Sequence, residues 1–133
     1  LKPFADDPLV TIGAHTITHS NLAKQSEEIA LRELATSRAD IEAAISRKVE
    51  HLAYPYGDKC AAGPREFGLA RAAGFKTAVT TRPGMTYAAS AEHMTALQRV
   101  SLNGHYQDER ILPVLTSGSA TALWNGFRLV DAD

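Results

Sequence analysis

The sequence predicts an α/β fold with parallel strands joined by crossover helices. Two observations carry that expectation. Short β-branched runs alternate with amphipathic helical stretches, and the order strand–helix–strand–helix–strand leaves no short hairpin connections for antiparallel pairing. The 133 residues fit one compact domain, read here as residues 1–133, able to bury roughly 70% of the surface its unfolded chain exposes.

Val10-Thr11-Ile12-Gly13 reads as the first buried strand, entered through the turn-like Asp6-Asp7-Pro8. Ser26 is a fitting N-cap for a long helix, with Glu27 and Glu28 in the first turn, where the helix dipole favours acids. That helix is expected to run to about Arg47. Leu31, Leu34, Ile41 and Ile45 form its apolar stripe, into which Arg38 intrudes. Val49–Tyr56 returns to extended chain, because Pro55 pushes Tyr54 into β or polyproline geometry. Gly63-Pro64 opens a second helix and Gly74 closes it. Lys76–Thr81 is the next strand, stopped by Pro83-Gly84, and Gln98–Leu102 a further one. Asp108–Thr116 reads as helical, with Pro113 either kinking it or lying in a displaced first turn. Ala120–Leu129 is a last short helix carrying the single tryptophan, Trp124.

Composition excludes several function classes. A net charge of −1 gives no long-range attraction for nucleic acid or an anionic membrane. Hydrophobic content of 44% against 22% charged residues is that of a globular protein, not a disordered one. The lone Cys60 makes an internal disulfide or a Cys-rich zinc site impossible. No apolar run approaches the ~20 residues that span a bilayer, so no membrane span is expected. The chain starts at Leu1 with no basic, apolar leader, and is expected to be a piece of a longer protein, leaving its compartment unknown.

Two stretches carry chemistry, both placed at strand C-termini, where active residues of such folds gather. In Gly13-Ala14-His15-Thr16-Ile17-Thr18-His19, the two histidines share a metal only if the backbone turns. On an extended strand their α-carbons would lie ~13 Å apart. One helical turn would bring them to ~6 Å on one face. A metal site therefore demands that the strand end near Gly13 or Ala14 and coil at once; otherwise the pair is two partly exposed loop histidines. Thr16 breaks any HExxH pattern and removes the zinc-protease reading. In Tyr54-Pro55-Tyr56-Gly57 two aromatics around a proline make a stiff loop. It offers ring faces for a sugar and a fixed backbone N–H for an oxyanion, or serves only as a packed turn.

In this order, separated by one helix, His15-Thr16-Ile17-Thr18-His19 and Tyr54–Gly57 resemble the second and third motifs of the NodB-type polysaccharide deacetylases, carbohydrate esterase family four. Ala72–Thr80 resembles the helix-to-strand step that follows, so the likeness runs from about Pro8 to Ser117-Gly118. The resemblance implies a partial distorted (β/α) barrel, the C-terminal part of a deacetylase catalytic domain. It also implies metal-dependent removal of acetyl groups from a polysaccharide or amino sugar. His15 and His19 would bind a divalent ion, commonly zinc. The Tyr56 backbone N–H would contact the oxyanion, and Tyr54, Pro55 and Gly57 would shape the substrate groove.

The sequence departs from the family at three points. The first motif, Thr-Phe-Asp-Asp, is lacking, and Asp6-Asp7 reads as a turn cap. Ala53 stands where an arginine often precedes the third motif. Around Leu115–Gly118 there is no counterpart of the late Leu-x-His. His105, the nearest histidine, falls in the loop Asn103–Tyr106; Arg99, on a late strand, either replaces one of the missing polar groups in substrate binding or makes a surface or core-edge ion pair. His51 and His93 read as surface residues. The expectation is an incomplete, inactive fragment with weakly held zinc, which self-associates or docks on a missing N-terminal segment. The alternative is a non-catalytic carbohydrate-binding or structural module on the same fold. Family members usually work outside the cytoplasm.

Overall fold

A computed structural model describes residues 2–104 and 108–133. His105 and Tyr106 lie outside the described residues. The elements are α1 (Lys2–Ala5), α2 (Glu27–Ile45), β1 (His51–Ala53), α3 (Pro64–Ala72), β2 (Thr77–Pro83), β3 (Leu97–Arg99), α4 (Ile111–Thr116) and α5 (Ser119–Trp124). Short 3-10 turns at Leu22–Lys24 and Ala88–His93 complete them.

The sheet is parallel in the order β1-β2-β3, with His51 opposite Thr77 and Val79 opposite Leu97. A single bridge, Ala14 to Leu52, adds the first segment as a parallel neighbour of β1. The expected α/β class and parallel strands are therefore present, with helices as crossovers, as in a partial (β/α) barrel. All strand C-termini open on one rim.

Several boundaries differ from expectation. The strand expected at Val10–Gly13 is reduced to the Ala14 bridge, held by Ala14 N–H to His51 O (2.8 Å) and Ala53 N–H to Ala14 O (3.0 Å). The long helix stops at Ile45 because Ser46 takes a left-handed conformation (φ 56°) and turns the chain back. Glu42 then accepts the Val49 N–H (2.9 Å), seating the next segment. The extended stretch Val49–Tyr56 pairs as a strand only over β1, since Pro55 has no N–H to offer a ladder. The third strand covers Leu97–Arg99, not Gln98–Leu102, and the last helix covers Ser119–Trp124, not Ala120–Leu129. Gly126 (φ 58°) and Phe127 (φ 62°) break that helix. Pro113 lies in the first turn of α4, where a missing N–H costs nothing. Asp7 accepts the Leu9 N–H (2.9 Å), so Asp6-Asp7 is a turn, as expected.

The core is built from Leu22, Leu34, Val49, Leu52, Tyr54, Phe67, Phe75 and Ala78, with Leu31 and Ile41 packed at its edge. Arg38 sits in the apolar stripe for a physical reason. Its guanidinium donates to the Ala73 carbonyl at the end of α3 (2.7 Å), lies 5.8 Å from the Phe75 ring centroid and pairs with Glu42 (3.1 Å). One side chain thus caps the carbonyl end of one helix from the flank of another.

Candidate active site

The rim brings the two motif loops together. After Ala14 the chain leaves the sheet, and Thr16 (φ 62°) and His19 (φ 56°) take left-handed conformations rare for such residues. The histidines are joined by a strained bend, not by the helical turn expected. Gly13 does not supply the turn either. It is glycine because a Cβ there would stand 3.0 Å from the His51 carbonyl oxygen of the neighbouring strand.

The bend is held from α2. Glu33 is buried beneath it and accepts three hydrogen bonds: from Ile17 N–H (2.9 Å), Thr18 N–H (3.0 Å) and Thr18 Oγ1 (2.9 Å). Burial pushes its carboxyl pKa up, but the donors from Thr18 and Ile17 outweigh that and hold it below the usual carboxylate value. Sequence reading missed Glu33. Its signal was a glutamate one position before Leu34 on the buried side of the long helix.

The His15 and His19 ring centroids are 4.9 Å apart, edge to face. His15 Nδ1 lies 2.6 Å from the Ala53 carbonyl oxygen. A carbonyl only accepts, so Nδ1 is the donor, which in the neutral imidazole leaves the lone pair on Nε2. That is the orientation in which metal-ligating histidines are usually locked. His19 in turn meets the Tyr56 ring at 5.2 Å. His15, His19 and Tyr56 therefore stand in one cluster.

The Tyr54–Gly57 loop divides its residues between core and rim. Tyr56 (φ 63°) is exposed, and its N–H has no hydrogen-bond partner among the described residues. Its carbonyl accepts Thr81 Oγ1 (2.6 Å), and the Gly57 carbonyl accepts Thr81 N–H (2.9 Å). Gly57 (φ 67°) is obligatory, because a Cβ would stand 2.8 Å from Thr81 N. Tyr54, expected to shape the groove, instead packs in the core. It is 2% exposed, its hydroxyl donates to the Thr95 carbonyl (2.8 Å), and its ring lies against Phe67. Burial, then the nearby Glu66 charge, pushes its phenol pKa well above the usual value. Pro55 is buried too, so Tyr56 alone presents an aromatic face. Arg99 stands exposed at the end of β3, on the same rim, lining a cavity with Trp124 and Leu115 away from the histidines. His51 is exposed and bonded to Thr77 (2.8 Å), and His93 is also exposed.

Two imidazoles, one with its tautomer fixed, fit a divalent ion as part of its ligand set. Thr16 Oγ1 in the bend, and Ser20 Oγ and Asn21 Oδ1 just after it, are buried without partners among the described residues, leaving polar capacity around it. No group of three or more His, Cys, Asp or Glu converges on one point among the described residues. Nor is any helix among them long and apolar enough to cross a membrane.

Known proteins resemble this chain in sequence and in fold. The sequence profile of the polysaccharide deacetylases matches residues 1–78, which contain both motif loops and the helix between them. The Streptococcus pyogenes deacetylase PplD in complex with acetate superposes with a TM-score of 0.68 at 22% identity, over 77% of this chain and 43% of that one. BC0361, a polysaccharide deacetylase from Bacillus cereus, gives 0.64 at 22% over 74% and 29%. BA0330 from Bacillus anthracis gives 0.67 at 22% over 88% and 34%. The chain thus spans less than half the length of each of these structures, and at this identity they establish the fold. No curated protein sequence matches it. With the profile covering the histidine bend, the glutamate that holds it and the tyrosine–proline loop, the chain belongs to the polysaccharide deacetylase family.

Proposed function

We propose that this chain is part of a metal-dependent deacetylase that hydrolyses acetyl groups on a polysaccharide or amino sugar. The observation that carries the reading is the cluster of His15, His19 and Tyr56 on the rim, with the His15 tautomer set by Ala53. In this reading residues 1–133 are one domain, the C-terminal part of the catalytic domain.

His15 and His19 would hold the divalent ion; imidazole donors suit zinc among other first-row metals, and zinc is the ion the family resemblance implies. When bound, such an ion lowers the pKa of a water ligand and polarises an acyl oxygen. The chain's own contribution is positional. Glu33 fixes the bend that carries both rings. Thr81, gripping the Tyr56 and Gly57 carbonyls, holds the Tyr56 N–H outward, where it can donate to the oxyanion of an attacked acetyl group. The Tyr56 ring borders His19 and offers the sugar its one apolar face at this point. With two protein ligands the ion is held weakly, and hydrolysis by this chain alone is slight.

The test is zinc titration against a competing chelator, with acetate release from N-acetylglucosamine oligomers measured in parallel. Weak zinc binding that vanishes in His15→Ala and His19→Ala supports the reading. Zinc affinity unchanged in both variants overturns the metal assignment, and rapid acetate release by this chain overturns its inactivity.

A further inference from the structure

The histidine pair is half of a tetrahedral ligand set, and it stands uncovered on the rim. His15 and His19 are both exposed, and no third His, Cys, Asp or Glu converges with them among the described residues. Two imidazoles bound at roughly 2.0–2.1 Å to one tetrahedral ion set their ring centroids about 5 Å apart. These two lie 4.9 Å apart. His15 Nδ1 is engaged by the Ala53 carbonyl, and the His19 ring meets Tyr56 without a hydrogen bond to any described residue. Each ring therefore keeps a nitrogen for a partner from outside the chain.

The surroundings suit a second protein surface. Ile17, between the two histidines in sequence, is 48% exposed, and Tyr56, against His19, is 56% exposed. Residues 13–21 and 53–58 contain no lysine or arginine, and Glu33 sets a carboxylate beneath the bend. Two copies of this rim can face each other with no cationic side chain of either loop opposed to its twin. With a net charge of −1, the chains as wholes repel little.

We propose that two copies of this chain share one divalent ion across a two-fold axis, each giving His15 and His19, so that four imidazoles close a tetrahedral site. The proposal rests on the metal assignment above and adds what completes its ligand set. Symmetry permits it: a tetrahedron has a two-fold axis that exchanges its ligands in pairs, and a two-fold interface sets each patch against itself. Ile17 and Tyr56 then form an apolar collar around the ion. That collar is smaller than the ~800 Å² per partner of a stable interface, so pairing depends on the metal. Four protein ligands also leave no position for water or an acyl oxygen, and the paired form is closed to hydrolysis.

Sedimentation velocity of the metal-free chain during a zinc titration tests the shared site. The expected result is a monomer that becomes a dimer, complete at one zinc per two chains and reversed by EDTA. Apparent zinc affinity should rise with chain concentration, because the ion and the second copy bind together. Cobalt(II) in place of zinc should give the intense visible bands of a tetrahedral site at the same ratio. His15→Ala and His19→Asn should abolish pairing, asparagine being chosen because it accepts the left-handed conformation at this position. If either variant melts earlier than wild type, the cobalt ratio and spectrum of wild type decide. A chain carrying His51→Ala, His93→Ala and Cys60→Ser, which lacks other exposed metal-binding side chains, should pair like wild type. Zinc bound one per chain and lost in the His15 and His19 variants, with sedimentation unchanged, overturns the shared site and leaves the metal assignment standing. No zinc bound by wild type overturns both. Pairing that is equal in EDTA, that survives in His15→Ala and His19→Asn, or that disappears in the triple variant overturns the shared site as well.

Discussion

Replacing Glu33 with alanine tests whether the histidine bend is preorganised by α2. The substitution removes three hydrogen bonds to an ionised carboxylate. Each such bond contributes about 1.5–3 kcal/mol, but the Ile17 and Thr18 amides lie in a partly exposed bend and regain water when released. The left-handed conformations of Thr16 and His19, about 1–3 kcal/mol each, then have nothing to hold them. A net loss of about 2–4 kcal/mol in the local stability of the bend follows. At 1.4 kcal/mol per decade this is a fall of roughly 30- to 1000-fold in whatever depends on the bend being formed. Hydrogen exchange reads it without any metal: the Ile17 and Thr18 amides should lose protection by that factor in Glu33→Ala. Zinc affinity should fall in the same direction. Glu33→Gln should restore much of both, because its amide oxygen still accepts from the two N–H groups and its amide nitrogen can donate to Thr18 Oγ1. Equal exchange at Ile17 and Thr18 in wild type and Glu33→Ala would refute the reasoning.

Other substitutions probe the neighbouring contacts. Gly57→Ala should destabilise the chain by about 2 kcal/mol or more, read as a lowered melting temperature, since it combines positive φ with a clash at Thr81 N. Tyr54→Phe should cost about 1–2 kcal/mol by orphaning the Thr95 carbonyl, yet leave zinc affinity unchanged; an altered affinity would return Tyr54 to the groove. Glu42 has its pKa held below the ordinary 4.5, chiefly by the Val49 N–H and then, against some desolvation, by Arg38. Its contribution is therefore present above the unfolded value and lost as pH falls through the lower folded one. Acid unfolding curves should show a shallower limb in that window for Glu42→Gln, and identical limbs would count against the linkage.

Local pattern reached the elements with strong end signals. Ser26 with Glu27 and Glu28, and Gly63 with Pro64, fixed two helix starts because caps and dipoles act within one turn. Helix ends and strand lengths were less legible. Ser46 gives no sign in sequence of its left-handed turn, and pairing at Ala14 depends on His51, thirty-seven residues away. The same divide runs through the site. His15, His19 and Tyr56 were legible from motif spacing, whereas the burial of Tyr54 and Pro55 was not, since alternating sides of a short loop are assigned by Phe67 and Thr95.

The sequence by itself determined the class of fold, the parallel run of its strands and the two motifs of the candidate site, because these follow from periodicity, turn residues and spacing along the chain. Only the tertiary structure decided that Glu33 clamps the bend, that Ala53 sets the His15 tautomer, and that Trp124 meets Thr81 and Pro83 on one rim. Those relations join residues 15 to 43 positions apart, through hydrogen bonds and packing that exist only once the sheet and helices have closed on each other.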